Sequence, residues 1–368
     1  MIIQTYNSAG GADYSNLTTF GNDLAASTVS DFDADLTVLL KVEEGIHDAE
    51  PIYFNAFTTS GINLIISGEV PLEGSGTGNG AVYRQSHTAS LHLIYDGYSL
   101  SSLQVENIEF DLVSSARNFG VPILGDFFST GEQLDKIITF KNCRFHSLSG
   151  GPVNGCYGVR LQPVSATGHA YTYTFNFENC LFHDFDNSTA STQINRFAGR
   201  NGTLNINWKG CVAIGPATRV DPDGLWGADA TFYYNKKFEG CIFTEQPTQY
   251  PGGPGNVGVS AIDCISDNSC WDLTSISNTN VSSNITVNLS GAPASDEVSF
   301  VSGSTGDFRL YDDSNNLAIG FVSNSTLPTP DFQGNDRGTS PFDAGSIEIT
   351  TATTDVTINF GNTYIRVY

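Results

Sequence analysis

Basic residues are scarce in this chain: Lys and Arg number 16 against 39 Asp and Glu, and charged residues make up only 15% of its 368 positions. A formal net charge of −23 excludes a phosphate-tracking groove, because nothing neutralises the polyanion, and it argues equally against an anionic membrane surface. No nucleic-acid partner and no membrane insertion are expected. The opening MIIQTYNSAGGADYSNLTTF has neither a basic n-region nor a long apolar run, so it does not read as a signal peptide, and no window approaches a membrane span in length. Metal-ligand spacing is missing as well. Of the seven cysteines at least one must be unpaired, and Cys264 and Cys270 face no second pair at zinc-site spacing, so no metal and no cofactor are expected. Cys156 and Cys270 stand outside any pattern.

What the chain has instead is a repeat. FKNCRFHS at 140–147 returns as FENCLFHD at 177–184, with looser copies VENIEF at 105–110, WKGCVA at 208–213, FEGCIF at 238–243 and AIDCIS at 261–266. Aligned on the fourth letter they give Ile108, Cys143, Cys180, Cys211, Cys241 and Cys264, spaced 35, 37, 31, 30 and 23 residues apart. The intervening stretches show short alternating runs such as YTYTFNF and TLNINW, so each copy reads as strand, sharp bend, strand.

The third letter is Asn107, Asn142, Asn179, Gly210, Gly240 or Asp263, the residue types that enter the left-handed region at least cost. These positions are expected to form a corner with φ > 0, where valine should be costly and glycine tolerated at Asn179. The first, fourth and sixth letters fall on one interior face at period-two spacing, and the second letters Glu106, Lys141, Glu178, Lys209 and Glu239 are expected to face water. One apolar face, a turn residue in register and loops of variable length describe a rung of a right-handed parallel β-helix. Such a solenoid accommodates a long chain because its core grows along one axis. Stacked rungs hold Cβ atoms about 4.8 Å apart, more than the ~3.5–4.5 Å a disulfide needs. Cys143, Cys180, Cys211, Cys241 and Cys264 are therefore expected to be a ladder of buried thiols acting as small hydrophobes.

Residues 1–35 read as an N-terminal cap with a short helix at 13–28, placing Leu17, Phe20, Leu24 and Ala25 at helical spacing behind an Asp13 cap. Residues 36–274 read as the β-helix, and 275–368 as a C-terminal β segment serving as end cap or oligomerisation element. The fold class is thus all-β. The terminal runs DVTINF and YIRVY offer strand edges that a partner copy could cover, and a homo-oligomer, with a trimer favoured, is expected.

GDFRLYDDSNNLAIG at 306–320 and DFQGNDRGTSPFDAGSIE at 331–348 resemble the closing segment of right-handed parallel β-helix repeat proteins of the pectate-lyase-like class. The matching residues are Asp307, Phe308, Leu310, Ala318, Ile319 and Gly320, then Asp331, Gly334, Arg337, Asp343, Gly345 and Glu348; Asn315–Asn316 stand where that pattern has Ser-Pro. The opening GGADYSNLTTF is similar to the start of such proteins in tailed bacteriophages. The resemblance implies architecture more sharply than activity, since adhesins, polysaccharide lyases and phage virion proteins share it.

Carboxylate pairs are the first candidates for glycan hydrolysis, which needs an acid and a base ~5–9.5 Å apart. Asp184 with Asp186, Asp221 with Asp223, and Asp263 with Asp267 qualify by spacing, although Asp is also a preferred turn residue and the turn is the favoured reading. A lyase would add a basic residue, and Arg196, Arg200 and Arg219 lie near these carboxylates in sequence. Asp31, Asp33 and Asp35 lack the Gly and distal Glu of an EF-hand and read as a solvated turn. His146 and His183 share one repeat offset and should stack just outside a strand, as part of a polar turn. Trp226, in the Gly/Asp-rich DGLWGAD, is the sugar-stacking candidate. The Asn-x-Ser/Thr triplets at Asn16, Asn187, Asn201, Asn280, Asn284, Asn288 and Asn324 are what an Asn/Ser/Thr-rich chain produces by chance.

Together these features favour a bacteriophage virion surface protein, a decoration, fibre or tailspike-like component that binds a virion partner or a host surface glycan without catalysis. Its expected location is the virion surface. The alternatives are a secreted or tailspike polysaccharide-degrading enzyme and a bacterial adhesin.

Overall fold

A computed structural model describes residues 2–26, 37–48, 52–53, 62–74, 77–84, 94–95, 100–111, 135–146, 157–161, 171–183, 193–197, 202–214, 232–244, 256–267, 277–337, 341–349, 356–360 and 363–367. The bend of each repeat joins one strand of a long sheet to one strand of another. The first sheet has ten strands, among them Leu100–Glu106, Lys136–Lys141, Tyr171–Glu178, Gly202–Lys209, Phe232–Glu239 and Asn256–Ile262, all paired in parallel and in sequence order. The second has nine, among them Ile108–Asp111, Arg144–His146, Leu181–His183, Val212–Ala213, Ile242–Phe243 and Ile265–Asp267. Parallel strands joined in sequence order without a hairpin stack one repeat on the next, and the all-β chain is consistent with a β-solenoid.

Register follows the repeat letter by letter. Phe140 pairs with Phe177, Phe177 with Trp208 and Trp208 with Phe238, while Phe145 pairs with Phe182 across the second sheet. Their rings fill the interior: Phe140 and Phe177 stack at 5.5 Å, Phe110 and Phe145 at 4.9 Å, and Phe145 and Phe182 at 4.6 Å, with Trp208 packed on Phe177 and Phe182. Stacking of like rings adds to the burial of their apolar area.

The helix begins later than its spacing predicts. It runs Leu17–Ala26, and its cap is Asn16, whose Oδ1 accepts the Thr19 N–H at 2.8 Å. Asp13 instead accepts the backbone N–H and hydroxyl of Thr5. Leu17 and Phe20 are buried; Leu24 and Ala25 lie outside the described side chains. The tail differs more. Beyond Ser282–Ile285, residues 298–337 and 341–349 run along the outer side of the second sheet, where Val298, Phe300, Phe308, Leu310, Phe332 and Ile347 share a buried apolar layer with Leu181, Val212, Ile242 and Ile265. A final antiparallel hairpin joins Val356–Phe360 to Thr363–Val367. The fifth letter of the repeat, Arg144, Leu181, Val212, Ile242 and Ile265, is what this tail covers.

Candidate functional site

The two sheets present different outer faces, and each is set by the outward letters of its strands. On the first sheet many of those letters are hydroxyls and amides. Asn176 Nδ2 donates to Thr139 Oγ1 at 3.2 Å and Asn207 Nδ2 to Asn176 Oδ1 at 2.9 Å; one step along the strands, Asn205 donates to Thr174 Oγ1 at 3.4 Å and Asn235 to Asn205 Oδ1 at 3.0 Å. Two hydroxyl–amide ladders therefore run along the stack, partly exposed except for Asn235, which is exposed. Beside them the second letters pair Lys141 with Glu106 and Glu178, and Lys209 with Glu178 and Glu239. Not all of these face water as expected. Glu239 is buried at 6% exposure because Lys209 and Lys237 close on it at 3.2 and 2.8 Å.

At the corner between the sheets Asn107, Asn142, Asn179 and Asp263 have φ of 56°, 52°, 51° and 53°, and Gly210 and Gly240 have 58° and 60°. The asparagines form an amide column, Asn142 donating to Asn107 at 3.3 Å and Asn179 to Asn142 at 3.2 Å. At Asn179, Gly210, Gly240 and Asp263 the tail lies against the corner. Asn179 Oδ1 accepts from Arg337 at 3.1 Å and its Nδ2 reaches Pro330 O at 2.8 Å. A Cβ on Gly210 would lie 2.7 Å from Asn179 Oδ1 of the preceding rung and 3.2 Å from Gly345 O of the tail, and one on Gly240 2.6 Å from Leu327 Cδ2, so a side chain at either position would force its neighbours to shift. Asp263 accepts from Asn324 N at 2.8 Å, from Asn324 Nδ2 at 2.9 Å and from Ser325 Oγ at 3.0 Å. These donors overcome the cost of burial and hold its carboxyl below the usual range. Asp263 is thus a corner anchor, and glycine at Asn179 would discard the side-chain hydrogen bonds to Asn142, Pro328, Pro330 and Arg337, which argues against the tolerance expected there.

The charged residues that carry the β-helix resemblance make up this clasp. Arg337 is buried and gives its donors to Glu348 Oε2 at 2.9 Å, Pro328 O at 3.1 Å, Gly345 O at 3.0 Å and Asn179. Asp331 gathers the backbone N–H groups of Gln333, Asn335 and Glu348, and Asp343 those of Gly320 and Ile349. Asn316, standing where the family pattern has Ser-Pro, donates to Ser299 O and Tyr311 O. Burial and the nearby Asp343 charge push the Glu348 carboxyl up to about 7, against the pull of Arg337. The 2.9 Å contact pairs the carboxyl, as it ionises through this range, with a buried guanidinium that needs a counter-charge.

A second buried polar group lies under the loop at 71–80. Glu109 accepts Gly78 N–H with both oxygens at 2.9 Å, lies 2.8 Å from His146 Nε2 and is 3.4 Å from Arg144, which also donates to Glu73 O at 2.9 Å. Burial opposes ionisation of Glu109, but the His146 hydrogen bond and the Arg144 charge outweigh it and hold the carboxyl low. Phe332 packs beneath the guanidinium at 5.4 Å, and Arg84 pairs with Asp111 at 2.8 Å. The two histidines stack at 5.2 Å as the repeat offset predicts, yet both are buried within strands, where a polar turn was expected. The cover explains this: His183 lies 4.7 Å from Phe308 of the tail.

Cys143, Cys180, Cys211, Cys241 and Cys264 are buried free thiols. Each Sγ donates to the carbonyl two residues back, at 3.3–3.5 Å, adding a weak second donor to a carbonyl that already accepts the corner N–H of the preceding rung. Burial keeps Cys180, Cys241 and Cys264 in the neutral form. The catalytic candidates Asp184, Asp186, Asp221 and Asp223, the arginines Arg200 and Arg219, Trp226, Asp31, Asp33, Asp35, Cys156 and Cys270 lie outside the described residues. Arg196 is in the strand Gln193–Phe197, whose backbone places it in register with Arg160. Among the described residues no three or more His, Cys, Asp or Glu side chains are grouped to hold a metal ion, and no helix is long and apolar enough to cross a membrane. Comparison with protein-family models, with curated proteins and with solved structures returns no match.

Proposed function

We infer that this chain is a structural surface protein of a bacteriophage virion, a right-handed parallel β-helix of the pectate-lyase-like class that binds a virion partner or a host surface glycan and does not cleave it. The observation that carries the reading is the contrast between the two outer faces. The carboxylates and guanidinium of the closing segment are spent on holding the tail to the second sheet, while the first sheet presents partly exposed hydroxyl and amide ladders. Acid–base catalysis needs carboxyl groups poised by different environments; Asp331, Asp343 and Asp263 are instead saturated by backbone and side-chain donors. Buried reduced thiols suit a protein that folds in a reducing cytoplasm before release. Mass spectrometry of purified particles tests the reading: the chain should be a stoichiometric virion component, and its absence from particles would sink the proposal.

One observation favours the enzymatic alternative. Arg160 and Arg196 stand in register on neighbouring strands that precede the intervals holding Asp184, Asp186, Asp221 and Asp223, a placement suited to an acidic polysaccharide. Reducing-end release from host capsule, abolished by Asp184→Asn or Asp223→Asn in a folded protein, would establish that alternative in place of binding alone.

A further inference from the structure

The geometry points to the outer face of the ten-stranded sheet, at Thr139, Thr174, Asn176, Asn205, Asn207 and Asn235, as the docking surface for an extended, uncharged, hydroxyl-rich glycan lying along the stack. The inference deepens the binding reading above and rests on it. Three features carry it. First, the face repeats at the rung spacing of about 4.8 Å, which is close to the advance per sugar of an extended β-linked hexose chain, so hydroxyls on successive sugars meet like residues on successive rungs. The two ladders sit two residues apart on each strand, about 7 Å, a separation that lets one pyranose ring reach both.

Second, the ladder bonds leave capacity for a ligand. A side-chain amide has two N–H donors and two acceptor lone pairs. Asn176 and Asn205 each spend one donor on the rung before and one lone pair on the rung after. Each partly exposed amide keeps a donor and an acceptor beyond its ladder bonds, and the ladder already holds its rotamer, so little side-chain entropy is lost on binding. Third, the charge is wrong for anything else. On a chain of net charge −23 these six side chains carry no formal charge; Lys237, next in the column of Asn176 and Asn207, is paired to Glu239, Lys209 is paired to Glu239 as well, and Lys141 stands in register with Glu106 and Glu178. An acidic glycan would meet a repulsive field in which these lysines are flanked by carboxylates, whereas a neutral one meets matched hydrogen-bonding groups.

The test uses the full chain and soluble β-linked neutral oligosaccharides long enough to span the ladder, with polygalacturonate as the anionic arm, read by affinity electrophoresis and calorimetry. The neutral glycan should be retained and polygalacturonate not, and the pair Asn176→Val with Asn207→Val should weaken retention at least tenfold while leaving the melting temperature in place. Valine keeps strand propensity, so a folded variant is expected; Asn205→Val alone, with a smaller loss, serves if the pair does not fold. Equal binding by a folded variant, preference for polygalacturonate, or a changed oligomeric mass in place of a changed glycan affinity would overturn the assignment. If the chain is a virion component yet retains no neutral glycan, this inference fails and the virion reading stands; if it retains the glycan but is absent from particles, the reverse holds.

Discussion

The outer faces of the two long sheets belong to the same repeat and have opposite fates. On the first sheet the outward letters include Thr, Asn, Lys and Glu, and they bond to counterparts on the next rung or to neighbours on their own strand. On the second sheet they are Arg, Leu, Val and Ile, and the tail buries them under its own apolar layer. Parallel stacking makes both faces flat and continuous, so sequence alone decides which one is closed. A solenoid of identical rungs has no means of fixing where a cover should lie; here the variation at the corner supplies it. Asn179, Gly210, Gly240 and Asp263 present four different surfaces in order, and Arg337, Gly345, Leu327 and Asn324 each fit one.

The largest break in that contrast should come from Arg337→Ala. It removes a buried guanidinium and leaves Glu348 without its counter-charge and Gly345 O and Asn179 Oδ1 without that donor. Breaking a buried pair on one side costs roughly 3–5 kcal/mol, so the urea midpoint should drop strongly, and amide exchange should rise across 298–349 before it rises in the first sheet. Uniform exchange in both regions would show that clasp and rungs unfold as one unit. Next comes Asn179→Gly, which relieves the left-handed backbone but discards bonds to Asn142, Pro330 and Arg337; a loss of about 1–3 kcal/mol is expected. Asn107→Gly, farther from the clasp, should cost less, and equal losses at the two positions would remove the link between corner and tail.

These two sites also mark how far the sequence reaches. Strand, bend and strand, the left-handed corner types and the interior columns of Phe and Cys are all legible, because each depends on neighbours within one repeat and recurs at fixed letters. The clasp was half visible. The fifth letters Arg144, Leu181, Val212, Ile242 and Ile265 are mostly apolar where a solvated face should be polar, a signal that something covers them, but no spacing tells which distant segment does so. Buried His183 escaped for the same reason: its ring lies against Phe308, more than 100 residues away in sequence, and His146 is buried between His183 and Glu109. Lys236 escaped differently. It occupies an interior column between Ile206 and Val259 and is 2% exposed, against the alternation that period-two reasoning requires.

Titration of Glu348 gives a smaller effect with a definite sign. Its folded carboxyl is raised from 4.5 to about 7, so the stability it contributes is present below its ordinary value and is lost as pH rises through about 7. Asp343, raised by burial, works in the same direction. The wild-type urea midpoint should therefore fall between pH 5 and pH 8, and Glu348→Gln, which keeps the shape of the protonated acid, should flatten that fall. If the wild type is flat across this range, the Arg337 contact keeps Glu348 ionised throughout, and the pH dependence vanishes.

The smallest effect on stability is expected on the open face. Asn207→Val replaces a partly exposed amide whose ladder bond to Asn176 is exchanged against water, and the lost bond is offset by the higher strand propensity of valine. A change within about 0.5 kcal/mol is expected, measured by the same urea midpoint that registers Arg337→Ala. The comparison turns on this near-silence. Residues that hold the second sheet's cover are costly to change because no solvent can replace their partners, whereas water can replace each partner on the first face. Uncharged ladders that add little to folding are then free to serve recognition. A loss at Asn207→Val as large as that at Asn179→Gly would mean that the ladders are part of the scaffold, and the open face would no longer differ in kind from the closed one.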